Sequence, residues 1–433
     1  MSRATKNLSS LIFCAGLAAT AGFAVLSDEG FNSTTHYTAF PTDSALLTLK
    51  PRRGLTAKDH QAARNAWQYF EQNYRPETGL VDAVAGFPSG TLWDQGSYLL
   101  ALVAAHRLNL ITEESFGTRA QSLLKSIKSI ELFEEKLPNK VYNTQTLAMV
   151  DYQNQPVPSG IGWSALDVAR LLSAFRMLEV HHPEYGADLR AILARWDLTA
   201  MAREGRLYGA HVTEAGTEFL QEGRIGYEQY GARAAALWGL DVLDAVSAKP
   251  IVQWRQVAGV LLPTDRRSPE QFTAITPTLS EPFFLQALEL GLSSEGHLMA
   301  SKVYLAQENR FRDDGIPTMV SESHIDQPPH FLYMSIFSNG EDWAVVDEHG
   351  GMHPDLRSIS LKATFAWDAI FETEYTQMIR QQLADLAHPA GWASGKYEID
   401  LRPNEIYTAN TNAVVLQALY YKQFGPMLTS ITR

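Results

Sequence analysis

Thr91-Leu-Trp-Asp-Gln-Gly-Ser-Tyr98 runs without a break into the apolar stretch Leu99 to Leu110, and this junction decides the fold. Tryptophan, a carboxylate and small polar residues stand directly ahead of a helix-forming segment. The same order recurs in Ile161-Gly-Trp-Ser-Ala-Leu-Asp167, which leads into Val168 to Val180, and in Ile225-Gly-Tyr-Glu-Gln-Tyr-Gly231, which leads into Ala232 to Leu243. Weaker copies begin at Thr278-Leu-Ser-Glu281, Ser360-Leu-Lys-Ala-Thr364 and Thr408-Ala-Asn-Thr-Asn412. Their spacing of roughly 45 to 80 residues suits repeated helical hairpins rather than a consensus solenoid. Equivalent ends of such helices would bring carboxylates, amides and indole rings to one pocket, a composition suited to a sugar polymer.

Between these segments lie plainer amphipathic helices: Thr112 to Leu132, Pro183 to Trp196, Glu295 to Phe311 and Glu374 to Leu386. Their charged faces fit an outer layer, and the Ala- and Leu-rich segments fit a buried inner one. Six inner and about six outer helices predict an all-α protein, an (α/α)6 toroid whose short strand-like pieces, such as Lys140-Val-Tyr142 and Ala344-Val-Val346, decorate loops. Thr56-Ala-Lys-Asp59 reads as a capped helix start, with Ala62, Ala63, Ala66, Trp67 and Phe70 on one face behind it. No linker divides the chain beyond that point, so residues 56–433 are expected to form one toroid domain.

The 433 residues are 45% hydrophobic and 19% charged, ample for a large core. A net charge of −12 without a clustered basic face argues against nucleic acid as partner. Neither a phosphate loop nor a dinucleotide fingerprint is present. The lone cysteine, Cys14, lies in the N-terminal apolar stretch, which removes disulfides, thiolate zinc sites and a cysteine nucleophile from the folded part. Zinc-dependent helical barrels are thereby excluded. Asp347-Glu-His349 with His353 and Asp355 is the densest ligand-like cluster, but Gly350-Gly351 breaks the helical spacing of a zinc peptidase and it reads as a polar loop. No metal and no cofactor are expected.

Arg3 and Lys6 precede the uncharged run Leu8 to Leu26, so residues 1–27 read as a signal peptide or a membrane anchor. Residues 28–55, punctuated by Ser, Thr and Pro, read as a flexible tether. The body of the protein is therefore expected in the periplasm or another extracytoplasmic space. The sequence leaves the oligomeric state open.

Several motifs together resemble a known family. Thr91 to Tyr98, Leu137-Pro-Asn-Lys-Val-Tyr-Asn143, Gly162 to Asp167, Gln221-Glu-Gly-Arg-Ile-Gly-Tyr-Glu-Gln-Tyr230, Glu322-Ser-His-Ile-Asp-Gln-Pro-Pro-His-Phe331 and Thr408 to Asn412 are similar to the bacterial domain-of-unknown-function 3131 family. The resemblance covers Thr56 to the C-terminus. It implies a six-hairpin glycosidase-like fold, distantly similar to glucoamylase-like domains acting on β-glucans, and no particular reaction. Glucan-acting relatives carry Gly-Tyr-x-Glu where this chain has Gly226-Tyr-Glu228-Gln229, a carboxylate displaced by one position.

Glycoside cleavage needs one protonated and one ionised carboxyl across the scissile bond. Glu228 and Glu222 are the candidate proton donors, because Tyr227 and Tyr230 offer an apolar wall that raises a carboxyl pKa. Asp326 and Asp94 are candidates for the opposing carboxylate. Glu322 and His324 share the Pro-stiffened polar loop with Asp326, where function is commoner than structure. Trp93, Trp163, Tyr227 and Tyr333 are expected to supply flat faces to a glycan and Asn410 and Asn412 hydrogen bonds to its hydroxyls, with Tyr230 and His324 as further substrate-binding residues. Amides at the last helix start keep a second reading open: a non-catalytic glycan-binding module in polysaccharide synthesis or export.

Overall fold

The computed structural model describes residues 39–41, 46–268 and 274–429. The signal or anchor expected at residues 1–27 lies outside them. Among the described residues no helix is long and apolar enough to cross a membrane.

Among the described residues eleven α-helices carry the architecture: α1 Ala57–Asn73, α2 Leu92–Arg107, α3 Glu113–Ser129, α4 Ala165–His181, α5 Gly186–Leu193, α6 Tyr227–Ala236, α7 Glu281–Leu285, α8 Ser294–Asp314, α9 Leu361–Ile370, α10 Glu374–Gln382 and α11 Ala409–Phe424. Six of them close a ring, in which α2 packs on α4, α4 on α6, α6 on α7, α7 on α9, α9 on α11, and α11 back on α2. These are the segments behind the six polar motifs. Their burial explains the ring: α2, α9 and α11 are buried on nearly every side. Side chains such as Leu99, Leu100, Leu102 and Val103 of α2 are wholly enclosed, each worth about 1.5–3 kcal/mol relative to exposure.

The remaining helices form an outer layer with one solvated face. Helix α1 packs on α11 and α2, α3 on α2, α5 on α4, α8 on α7, and α10 on α9. At the fourth outer position, between α6 and α7, the described residues form no long helix. A hairpin of Val252–Val257 and Val260–Asp265 stands there and packs against α8. Alternating Val, Trp and Leu in this stretch favour a strand with one buried face over a helix.

The strands do more than decorate loops. The described residues hold eight sheets of two or three strands. One of them, Glu322–His324 with Phe331–Met334 and Val345–Val346, lies over one end of the ring. Part of the expected tether is also bound to the body. Lys50 donates its N–H to the Ile370 carbonyl, Arg53 to that of Lys422, and Leu47 to the Ser301 hydroxyl.

Candidate functional site

The six inner helices start at the same end of the ring, where their first-turn N–H groups are without intrahelical partners and carry partial positive charge. Each start is fixed by its own chemistry. Thr91 caps α2, Ser164 caps α4, Ser360 caps α9 and Thr408 caps α11 through the side-chain oxygen. Gly226 precedes α6 at φ +90°, and a β-carbon there would press to 2.7 Å from the Pro282 ring of α7. A cavity of about 110 Å³ lies among these starts. Its lining includes Trp93 and Asp94 from α2, Asp167 from α4, Tyr227 from α6, Lys362 from α9 and Asn410 from α11, with Glu222 and Arg224 from the segment before α6. The three-stranded sheet closes another side. Glu322 pairs with Tyr333 and His324 with Phe331 across an antiparallel register, so all four side chains share the face turned to the cavity.

Carboxyls at this site sit in two groups. In the first, Asp94 takes the Thr91 N–H at 3.0 Å and hydroxyl at 2.8 Å, both on one oxygen. Burial outweighs these bonds and pushes its pKa up to about 6. Glu222 accepts from the Ser164 hydroxyl and the Leu166 N–H, both at 3.0 Å. Burial raises Glu222 as well, against the attraction of buried Lys140. Asp167 is raised well above the usual carboxylate range by burial and by the charges of Glu222 and Asp94.

The second group is Glu281, Lys362 and Glu322. Glu281 is ion-paired with Lys362, and it accepts from Asn410 Nδ2 at 2.7 Å and the Ser321 hydroxyl at 3.1 Å. Glu322, half-buried beside this pair, is pushed up to about 8 by desolvation and then by the Glu281 charge, with Lys362 and the Tyr227 hydroxyl opposing. It therefore holds its proton at neutral pH. Burial, Lys362 and His330 hold the His324 imidazole neutral down to about 3.

The aromatic lining is tied to the core below it. Trp93 meets Tyr227 edge-on at 5.7 Å between ring centres, and the Arg170 guanidinium lies 5.0 Å from the Trp93 ring centre. Arg170 is itself buried and ion-paired with Glu289, while Tyr230 bridges the two, accepting from Arg170 at 2.9 Å and donating to Glu289 at 2.7 Å.

Of the residues nominated from sequence, Asp94, Glu222, Glu322, Trp93, Tyr227, His324, Tyr333 and Asn410 line the cavity. Five others do other work. Glu228 is buried against Arg267 at 2.7 Å, within a cluster that includes Asp265, so its charge is neutralised away from the cavity. Asp326 takes the Tyr397 hydroxyl at 2.6 Å and Arg402 at 2.8 Å, which pins the Pro-containing loop and depresses its pKa despite partial burial. Trp163 is wholly enclosed, its indole N–H donating to the Tyr208 carbonyl. Tyr230 belongs to the Arg170–Glu289 network, and Asn412 ties α11 to the backbone of Trp392 and Thr408.

Asp167, Lys362, Glu281 and Lys140 escaped nomination. Asp167 had a visible signal, since Ser164-x-x-Asp167 repeats the spacing of Thr91-x-x-Asp94. Lys362 is the one charge in the apolar run Ser360 to Trp367. Nothing local marks Lys140, whose surroundings are assembled by the fold. Away from the cavity, at the C-terminal end of α4, Glu113, His182 and Glu184 bring one possible metal-ligand atom each within 4.8 Å of one another. His182 is paired there with Glu184 at 3.3 Å, and Glu113 with His106 at 3.0 Å. The Asp347 loop instead closes on itself, with Asp347 accepting from the Gly351 and His349 N–H groups and pairing with His353.

Residues 61–425 match the family described as protein of unknown function DUF3131, and the chain belongs to that family. No curated protein matches it significantly. Solved structures share the fold at low identity. A candidate glucoamylase from Bacteroides fragilis superposes with TM-score 0.64 at 13% identity, covering 89% of this chain and 94% of that one. An endo-β-1,2-glucanase from Chitinophaga pinensis, solved with sophorotriose and glucose, gives 0.62 at 14%, covering 87% and 94%. The endo-β-1,2-glucanase from Talaromyces funiculosus gives 0.55 at 11%, covering 84% of each chain.

Proposed function

For this member of the DUF3131 family we propose a glycoside hydrolase or transglycosylase acting on a bacterial exopolysaccharide or β-glucan. One observation carries the reading: a single cavity holds a carboxyl protonated up to about pH 8, Glu322, and one ionised above about pH 6, Asp94, between aromatic faces. Those are the two states that glycoside cleavage requires. Glu322 gives its proton to the glycosidic oxygen as the C–O bond breaks. Asp94, whose second oxygen is left by the Thr91 cap, takes the proton from a water or acceptor hydroxyl whose oxygen bonds to the sugar carbon, or first bonds to that carbon itself and is then displaced by such an oxygen. Trp93, Tyr227 and Tyr333 provide the flat faces. The N-terminal 27 residues would carry this activity out of the cytoplasm or anchor it at the membrane.

The glucanases of similar fold make linear β-1,2-glucan the first substrate to try. Purified protein incubated with it, and with other bacterial β-glucans, is expected to release or lengthen oligosaccharides. Glu322→Gln should abolish this while glycan binding persists. A binding-only role is supported by a different observation. Asp94 and Glu222 are both engaged at helix starts, and Glu281 is fully paired. Glycan bound tightly but recovered intact from every incubation would establish that role and sink the enzyme.

A further inference from the structure

Asp167 occupies the cavity in a different state from its neighbours. It is only 3% exposed, yet its Oδ2 has no hydrogen-bond partner. The third residue of a helix usually has its carboxylate anchored by the cap, as Thr91 anchors Asp94. At α4 that anchoring has passed to another residue. The Ser164 hydroxyl accepts from the Asp167 N–H at 3.2 Å but donates to Glu222, which also takes the Leu166 N–H. Glu222 thus receives the Ser164 hydroxyl and the Leu166 N–H, while Asp167 is left with a weaker influence from Ser164 and an Oδ2 without a partner.

The charges around it point the same way. Asp94 faces it from α2, Glu222 from the segment before α6, Lys140 from the Val141–Asn143 strand region and Tyr333 from the sheet. Two of these are carboxylates. Lys140 is the nearby cation, but it is buried, its pKa is lowered by that burial, and its amine meets His211 Nδ1 at 3.5 Å. Three neighbouring carboxylates oppose one another's ionisation, and the ammonium beside Asp167 is itself penalised by burial. Asp167, with a partnerless Oδ2, keeps its proton.

Further buried polar atoms on the same cavity also lack partners, among them His324 Nε2 and Asn410 Oδ1. Buried polar atoms are normally satisfied, and here several that are not surround one space. An uncharged sugar ring, with a hydroxyl on almost every carbon, supplies the missing donors and acceptors. A uronate would instead bring its carboxylate beside Glu222 and Asp94.

We propose that Asp167 is a neutral carboxylic acid that donates its O–H to a hydroxyl of an uncharged sugar in this cavity, with Glu222 as the residue that positions it. The inference rests on the glycan reading above and adds a residue and a substrate class to it. Sophorotriose binding to the full chain, followed by calorimetry, tests it. Asp167→Asn keeps an N–H donor and should bind within about threefold of wild type, whereas Asp167→Ala should lose about tenfold. A uronic-acid trisaccharide should not compete.

Infrared spectra read the proton without reference to turnover. Wild type should show a protonated-carboxyl band near pH 7 that Asp167→Asn lacks and Glu322→Gln retains. In Glu222→Gln the pH at which that band disappears should fall. Asn as damaging as Ala, or no band assignable to Asp167, would overturn the donor role while leaving the enzyme proposal standing. A wild type that binds no neutral glycan would overturn both, and thermal unfolding of each variant separates misfolding from either outcome.

Discussion

Asp59 and Asp94 hold the same post on neighbouring helices. Each is the third residue of its helix and closes a capping box, accepting the backbone N–H of Thr56 or Thr91 at 3.0 Å and its hydroxyl at 2.8 Å. Only the surroundings differ. Asp59, on the outer helix α1, meets Lys422 at 3.0 Å and Arg380 at 3.1 Å. Burial raises its pKa, but Thr56 and these cations outweigh burial and hold it well below the usual carboxylate range. Asp94, on the inner helix α2, faces the cavity, and Arg170 and Lys362 act on it only at a distance. There burial wins. A cap fixes where a carboxylate stands; cations from other helices fix its charge.

The sharpest way to break this contrast is to remove each charge in turn. Asp94→Asn and Glu322→Gln should cut glycan turnover by about a thousandfold or more, whereas Asp59→Asn should leave the turnover of folded protein unchanged. Single-turnover assays on glucan would read both. Equal losses at residues 59 and 94 would erase the functional distinction.

Stability should show the reverse. Asp59→Asn leaves buried cations under-compensated and should cost about 3 kcal/mol, while Asp94→Asn should stay within about 1 kcal/mol. The pH signs are opposite. Asp59 is depressed, so its contribution is present above the unfolded-state value and is lost as pH falls through the folded one. Asp94 is raised, so the folded state binds the proton more tightly and gains stability as pH falls below about 6. Urea unfolding across pH 3 to 8, compared between wild type and the two variants, separates them.

The activity itself should follow a bell. It should rise as Asp94 ionises through about pH 6 and decline as Glu322 ionises through about pH 8, with about a tenfold change per unit outside that window. A flat profile from pH 5 to 9 would remove these two groups from the chemistry. The smallest effect concerns the caps. Thr56→Ala and Thr91→Ala should each cost about 1 kcal/mol, but only the second should disturb the activity profile.

Where helices begin was readable from residues, because capping and apolar runs act within a few positions. Six polar motifs therefore marked six inner helices, and the cavity did form where those starts converge. What a motif residue meets was less readable. Trp163 and Trp93 look alike in sequence, yet one is enclosed near Phe133 and Phe219 and the other opens on the cavity. Glu228 is paired with Arg267, which follows it by 39 positions, and Tyr230 is hydrogen-bonded to partners on α4 and near α7. About six outer helices extend the hairpin pattern, but at Val252–Asp265 the local alternation of apolar and polar residues favours a β-hairpin instead.

The ring closes by packing α11 on α2, helices that begin more than 300 positions apart. During synthesis, chains emerge and begin to fold from the N-terminus. Asp94 and Asp167 would therefore wait at the ends of partly packed helices until Lys362 and Asn410 arrive. A ribosome-bound chain stopped before Ala409 would hold most of the acidic groups without the wall that encloses them, exposing apolar α2 and α9 to chaperones and proteases. Assembly of the cavity and completion of the core are then one late event, and nascent chains should gain glycan affinity and protease resistance together.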